Sequence, residues 1–160
     1  MKSMLLVSVT LVGALASHAS LAQVQTERTV SLALANEMVT AAVEACSAKN
    51  YNVVATVVDR SGYVKATQRA DNARPHAIDI AQRKATTAAM LGYETNRLAE
   101  NIQKGVTPAS VLNTPGFTSL LGGFPIKAGN EVIGVSGAPD GHLDTECVDA
   151  ALKRVRVKLN

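Results

Sequence analysis

Tryptophan is absent from this chain of 160 residues, and two Phe and three Tyr are its whole aromatic complement. Proteins that stack nucleic-acid bases need aromatic platforms, and sugar-binding faces rely on the same rings, so both classes are disfavoured. Runs of Lys and Arg are missing as well. The formal net charge is +3, with 16 basic and 13 acidic side chains dispersed along the sequence. Phosphate backbones are bound by clustered cations, so nucleic acid is not expected as a partner. Only two cysteines occur, without a CxxC pair, which argues against a zinc site. There is no GxGxxG or Walker sequence, and Gly134-Val135-Ser136-Gly137-Ala138 lacks the closing glycine of a nucleophile elbow. Neither a nucleotide site nor a serine hydrolase is indicated.

What is there begins with a leader. Lys2 precedes an apolar run from Met4 to Ala16, and Ser20-Leu21-Ala22 forms a small-x-small cleavage pattern before Gln23. This reads as a signal peptide over residues 1–22; the run is shorter than the roughly 18 apolar residues that a membrane span needs. Residues 23–160 suit one domain with its own core. Export would place it in the periplasm or outside the cell, where Cys46 and Cys147 can oxidise. The two form one bridge, or each is a small buried hydrophobe in its own helix; their spacing leaves both open.

The central stretch, Tyr51 to Leu91, reads as strand, turn, strand, helix. Asn52 to Asp59 is rich in β-branched residues, Asp59-Arg60-Ser61-Gly62 supplies a tight reversal, and Tyr63 to Arg69 is extended again. Pro75 suits the first position of a helix in which Ile78, Ala81, Ala85 and Ala88 recur on one small-residue face. Before it, Ser31 is a good N-cap for an amphipathic helix with Leu32, Leu34, Ala35, Met38, Val39, Ala42, Val43 and Cys46 on its apolar side, ended by Lys49-Asn50. After it, Gly92 interrupts the pattern, Thr95 starts a shorter helix and Gly105 ends that helix. Residues 106–123 form a long loop with one short strand and are a candidate lip over a ligand, or a plain solvated crossover. Phe124 to Lys127 and Glu131 to Val135 make a second hairpin, residues 137–141 turn the chain, and Leu143 to Lys158 form a last helix. The pattern of hairpins flanked by helices predicts an α+β fold with one mostly antiparallel sheet.

Two histidines outlast the leader. His76, Asp79 and Arg83 fall at i, i+3 and i+7, near a helix start, with Arg74 just before. An imidazole there is a candidate ligand to a metal or haem iron, with Asp79 orienting it; a surface or cap residue is the plainer reading. His142 lies among Asp140, Asp144 and Glu146 at the start of the last helix. It is a second candidate metal ligand, although acids there are equally explained by the helix dipole.

Val57-Val58-Asp59-Arg60-Ser61-Gly62, Asp71-Asn72-Ala73-Arg74-Pro75-His76, Arg83-Lys84-Ala85-Thr86-Thr87-Ala88, Gly122-Gly123-Phe124-Pro125-Ile126 and Ile133-Gly134-Val135-Ser136-Gly137-Ala138 together resemble the GlcG/HbpS-like family of haem-binding proteins, over almost the whole mature chain. The resemblance implies a profilin-like three-layer α/β/α arrangement around a five-stranded antiparallel sheet, in a homo-oligomer. It also implies haem as the cofactor, or another small-molecule ligand, with His76 as leading axial ligand, Arg74, Asp79 and Arg83 around it, and Tyr51, Tyr63 and Tyr93 as alternative iron ligands. Related members include a protein of glycolate utilisation and the C-terminal domain of a corrinoid adenosyltransferase, so an enzyme or accessory acting on a small organic acid or on haem is the alternative. One departure stands out: the family's longer strand run is shortened at Val132-Ile133-Gly134, and an odd deletion reverses the in/out alternation unless the strand ends early or bulges. The leader reading makes a first prediction. Intact-mass measurement of the exported protein should give a chain starting at Gln23; a mass that retains residues 1–22 would refute cleavage.

Overall fold

The computed structural model describes residues 26–129, 131–137 and 142–159; for residues 131, 133–137 and 142–144 it is the backbone that is described. The leader, its cleavage site and the turn expected over residues 138–141 lie outside the described residues. In chain order the elements are α1 (Leu32–Ser47), β1 (Val54–Asp59), β2 (Val64–Arg69), α2 (Ala77–Leu91), α3 (Thr95–Gln103), a 3-10 turn (Ala109–Asn113), β3 (Gly123–Ala128), β4 (Glu131–Gly137), α4 (His142–Val155) and a closing 3-10 turn (Arg156–Leu159). The sheet order is β2-β1-β4-β3, every neighbouring pair antiparallel. Helices α1 and α4 cover one face and α2 with α3 the other, which is the mixed three-layer arrangement expected.

Local chemistry accounts for most boundaries. The Ser31 hydroxyl accepts from the Leu34 N–H at 3.2 Å and caps α1. The Asp59 carboxylate accepts from the Ser61 and Tyr63 N–H groups at 2.9 and 3.0 Å, and Gly62 takes φ 85°, so the reversal between β1 and β2 is built by side chain and glycine together. Gly92, at φ 71°, closes α2 with its N–H on the Ala88 carbonyl at 2.9 Å. Helix α2 starts at Ala77, two residues past Pro75, which instead opens the preceding turn.

Strand β1 is central and buried on both faces. Ala55 and Val57 meet α1 and α4, alongside Met38, Val39, Ile126 and Ala151, while Val54 and Val58 meet Ala77, Ala81, Ala85 and Ala88 of α2. Two positions assigned to apolar faces turn out to be exposed, Leu32 at 57% and Ile78 at 41%. Each sits at the first turn of its helix, beyond the reach of the sheet beneath. Conversely, Lys84 is 1% exposed in the middle of α2, a burial that a charged residue rarely shows without a partner.

The described residues form four strands, and the expected fifth is not among them. The short strand expected within residues 106–123 is replaced by the 3-10 turn and extended chain. Pro108 and Pro115 lack the N–H groups that strand pairing uses. Pro125 is accommodated because β3 is an edge strand. Where the sequence run is shortened, Ile126 pairs with Gly134 but Lys127 with Val132, so a bulge at this point resets the register between β3 and β4.

Cys46 and Cys147 are bridged, with Cα atoms 5.4 Å apart, and the bond is buried beside Val53 at the end of α1. Around it ion pairs join the same two layers of chain: Glu44 of α1 with Arg154 of α4 at 2.6 Å, Lys49 just past α1 with Glu146 of α4, and Glu37 of α1 with Lys158 of the closing 3-10 turn. Hydrogen bonding from the Lys49 ammonium, with its charge, holds the Glu146 carboxyl below the ordinary carboxylate range. Exposed pairs of this kind contribute little on their own, so the two helices are held chiefly by the buried disulfide and by the core that Met38, Val39 and Ala42 share with Ala151 and Val155. Non-reducing mass spectrometry should find the peptides containing Cys46 and Cys147 linked, and reduction should lower stability to denaturant by about 2–4 kcal/mol; free thiols in the native protein isolated without reductant would contradict the bridge.

Candidate functional site

Two clefts flank the start of α2. The first, of about 430 Å³, is lined by Asn50, Tyr51, Asn52, Asn72, Arg74 and His76, with Ala77 and Ile80 between them. Its walls are made by two tight reversals. On one side Asn50 takes φ 63°, an uncommon conformation that asparagine tolerates, and the chain leaves α1 with the Tyr51 N–H on the Cys46 carbonyl at 3.1 Å. On the other, Arg69 donates to the Ala73 carbonyl at 2.6 Å, and Ala73 itself is buried against Val54, Ala77 and Ala81. That anchor leaves Arg74 and His76 exposed at the cleft. Among the described residues, neither the Arg74 guanidinium nor the His76 ring makes a hydrogen bond or an ion pair, so both donor groups are available to a ligand.

The second cleft, of about 410 Å³, is lined by Tyr63, Asp79, Gln82, Arg83 and Thr86, with glycines at 62 and 116. Arg83 lies 3.8 Å from the Asp79 carboxylate, one turn earlier, and donates to the Phe117 carbonyl at 2.8 Å. The four residues expected to form one constellation are thus divided: Arg74 and His76 share the first cleft, Asp79 and Arg83 the second. Asp79 and Arg83 lie one turn apart on one side of α2, where Arg83 reaches the Phe117 carbonyl, whereas Arg74 and His76 precede the helix.

The tyrosines are also separated. Tyr51, 40% exposed, belongs to the first cleft, Tyr63 to the second, and Tyr93 to a third groove, where the Arg97 guanidinium stacks 5.1 Å from its ring centre. His142 opens α4, but its side chain and Asp140 lie outside the described residues. Among the described residues no group of three or more His, Cys, Asp and Glu is placed to hold a metal ion.

The sequence reading missed the clamps on the loop. The Thr118 N–H donates to the Thr87 hydroxyl at 2.9 Å, the Gly123 N–H to the Thr95 hydroxyl at 2.9 Å, and the Gly122 N–H to the side-chain Oδ1 of Asn96 at 3.2 Å. With Arg83 on Phe117, four side chains of α2 and α3 fasten the stretch from Phe117 to Gly123. A hydroxyl residue, Thr87, beside an alanine face was the available signal.

Residues 30–153 match the family described as haem degrading protein HbpS-like. This chain belongs to the HbpS-like family. Among relatives of this HbpS-like chain, protein GlcG of Escherichia coli (strain K12) is 33% identical over 113 residues, spanning 71% of this chain and 83% of GlcG. The crystal structure of HbpS is similar with a TM-score of 0.77 and 29% identity, covering 83% of this chain and 94% of HbpS. The crystal structure of a PduOC:heme complex has a TM-score of 0.71 at 22% identity, covering 78% and 94% of the respective chains; at that identity the likeness is one of fold. The HbpS-like fold therefore supplies the scaffold, and the clefts are properties of this chain's own residues. Replacing Thr87 by Val should leave the buried Thr118 N–H unsatisfied, at a cost of about 1–3 kcal/mol, and amide hydrogen exchange should rise first at Phe117 and Thr118; unchanged exchange there would show that the clamp does not hold the loop.

Proposed function

We propose that this HbpS-like protein is exported and binds haem, to sequester, carry or sense it. The observation that carries the reading is that Arg74 and His76, both without partners among the described residues, share one cleft with Tyr51. The donor set fits haem by its chemistry. An imidazole is a haem-iron ligand and a phenol an alternative one, and a guanidinium pairs with a propionate in a charge-assisted, two-pronged hydrogen bond. When bound, haem supplies a redox-active iron. Everything else is done by the chain: His76 offers a ring nitrogen at the helix entrance, Arg74 meets a carboxylate, and Ala77 and Ile80 give apolar contact along the wall. Asp79 and Arg83 border the adjoining cleft, and Arg83 holds the loop through the Phe117 carbonyl. The family's description and the haem complex of a protein with the same fold support this reading. The exposed Tyr63, Val64 and Met90 beside the edge strand β2 support a homo-oligomer.

The family's description as haem degrading favours a second reading, in which haem is a substrate. A Soret titration of the mature protein, with His76→Ala, Arg74→Ala and His142→Ala beside it, separates the possibilities. Wild type should saturate, His76→Ala should lose or shift the band, and Arg74→Ala should bind about tenfold more weakly. A normal band in His76→Ala with loss in His142→Ala would move the ligand to His142, and no saturable change in wild type would remove haem altogether. Decay of the porphyrin spectrum under reductant and oxygen would establish turnover.

A further inference from the structure

Strand β3 turns its residues alternately to the two layers of helices. Ile126 and Ala128 enter the core shared with α1, while Gly123 lies under α2 and α3, where an added Cβ would meet the Lys84 carbonyl and Thr95. The extra residue of the nearby bulge is on β4, so the alternation along β3 is kept and Pro125 and Lys127 fall on the Gly123 side. There a groove of about 460 Å³ opens between the strand and the chain that leaves α2 through Gly92. Tyr93, Glu94 and Arg97 form its helix wall and Pro125 and Lys127 its strand wall, and none of them lines the first or second cleft. Three exposed charges border this groove, and among the described residues Glu94, Arg97 and Lys127 make no ion pair. Glu94 and Arg97 are three apart, a spacing that permits pairing, yet the guanidinium lies on the Tyr93 ring, 5.1 Å from its centre. Stacking covers one face of the guanidinium and leaves its N–H edge free.

We propose that this groove binds a free α-amino acid with an apolar side chain, its carboxylate held by Arg97 and Lys127, its ammonium by Glu94, and its hydrocarbon part laid on Pro125 and the uncovered part of the Tyr93 ring. A simple anion would use the two cations but be repelled by Glu94, and a simple cation would be repelled twice; a zwitterion meets all three charges. The Arg97 edge takes a carboxylate by two parallel hydrogen bonds, which fixes its orientation, and Lys127 adds a point charge from the strand wall. Pro125 and the half-buried Tyr93 supply the apolar surface that a hydrocarbon side chain covers. The volume falls in the range of small-molecule sites, which combine apolar lining with a few placed polar groups. This site is independent of the haem reading and stands or falls without it.

The test is isothermal titration of the mature, disulfide-bonded protein with L-leucine, beside N-acetyl-L-leucine, which lacks the ammonium, and L-leucinamide, which lacks the carboxylate. Leucine should saturate, and each blocked compound should bind about tenfold more weakly, since each loses a charge-assisted contact. Arg97→Gln and Lys127→Gln, one from each wall, should each weaken leucine by about tenfold. Glu94→Gln should weaken leucine but not N-acetyl-leucine, so that the preference between the two disappears; a general disturbance of α3 would weaken both. Lys104→Gln, at the far end of α3, should leave leucine binding unchanged. No saturable heat with leucine, equal binding of the three compounds to wild type, a preference retained in Glu94→Gln, or unchanged affinity in both Arg97→Gln and Lys127→Gln would overturn the proposal. So would displacement of leucine by haem, which would make the groove haem's own site.

Discussion

Helix α2 lies as close to the sheet as it does because alanines face inward along most of its length and because position 123 carries no side chain. A Cβ placed on Gly123 would lie 2.4 Å from the Lys84 carbonyl oxygen, a distance no real side chain tolerates. Interiors are packed at near-crystalline density, so a larger residue at 81, 85, 88 or 123 would drive the helix outward. Much of the rest depends on that approach. It brings Ala77 and Ala81 down onto Val54, which seats the turn through Ala73, and that turn presents Arg74 and His76. It also brings Thr87 and Thr95 within reach of the Thr118 and Gly123 N–H groups.

The chemistry near α2 divides according to what each cation has already engaged. Arg83 is committed to the Phe117 carbonyl and lies beside Asp79, so its charge serves the loop. Among the described residues Arg74 has no such commitment, and it stands in the same cleft as His76. A ligand there breaks no internal bond of these exposed side chains but must order them, at the cost of their rotamer freedom. The HbpS-like relatives share the frame.

The opposite face is governed by a different constraint. The bond between Cys46 and Cys147 joins residues 101 positions apart and fixes α4 against α1 at one end. With the helix pair set, ion pairing follows by proximity, and the glutamates of α1 neutralise Arg154 and Lys158. Among the described residues Lys153 and Arg156, on the other side of the same stretch, form no ion pair with a glutamate.

Much of the fold was legible because it is written in short windows. The cap at Ser31, the aspartate-built turn at Asp59, the helix stop at Gly92 and the two hairpins each depend on residues within four or five positions of one another, and backbone hydrogen bonding acts on that scale. Arg74 and His76 could be singled out from their place before a helix. Their separation from Asp79 and Arg83 could not, because it depends on Phe117, 34 residues beyond Arg83. For the same reason the cysteine bridge stayed undecided, the burial of Lys84 and the loop clamps went unseen, and the sheet was expected to have one strand more. The sequence by itself determined the elements, their ends and the small-residue face of α2; which distant side chains meet was decided by strand order and register, because those are set by the packing of the whole chain and by no local segment.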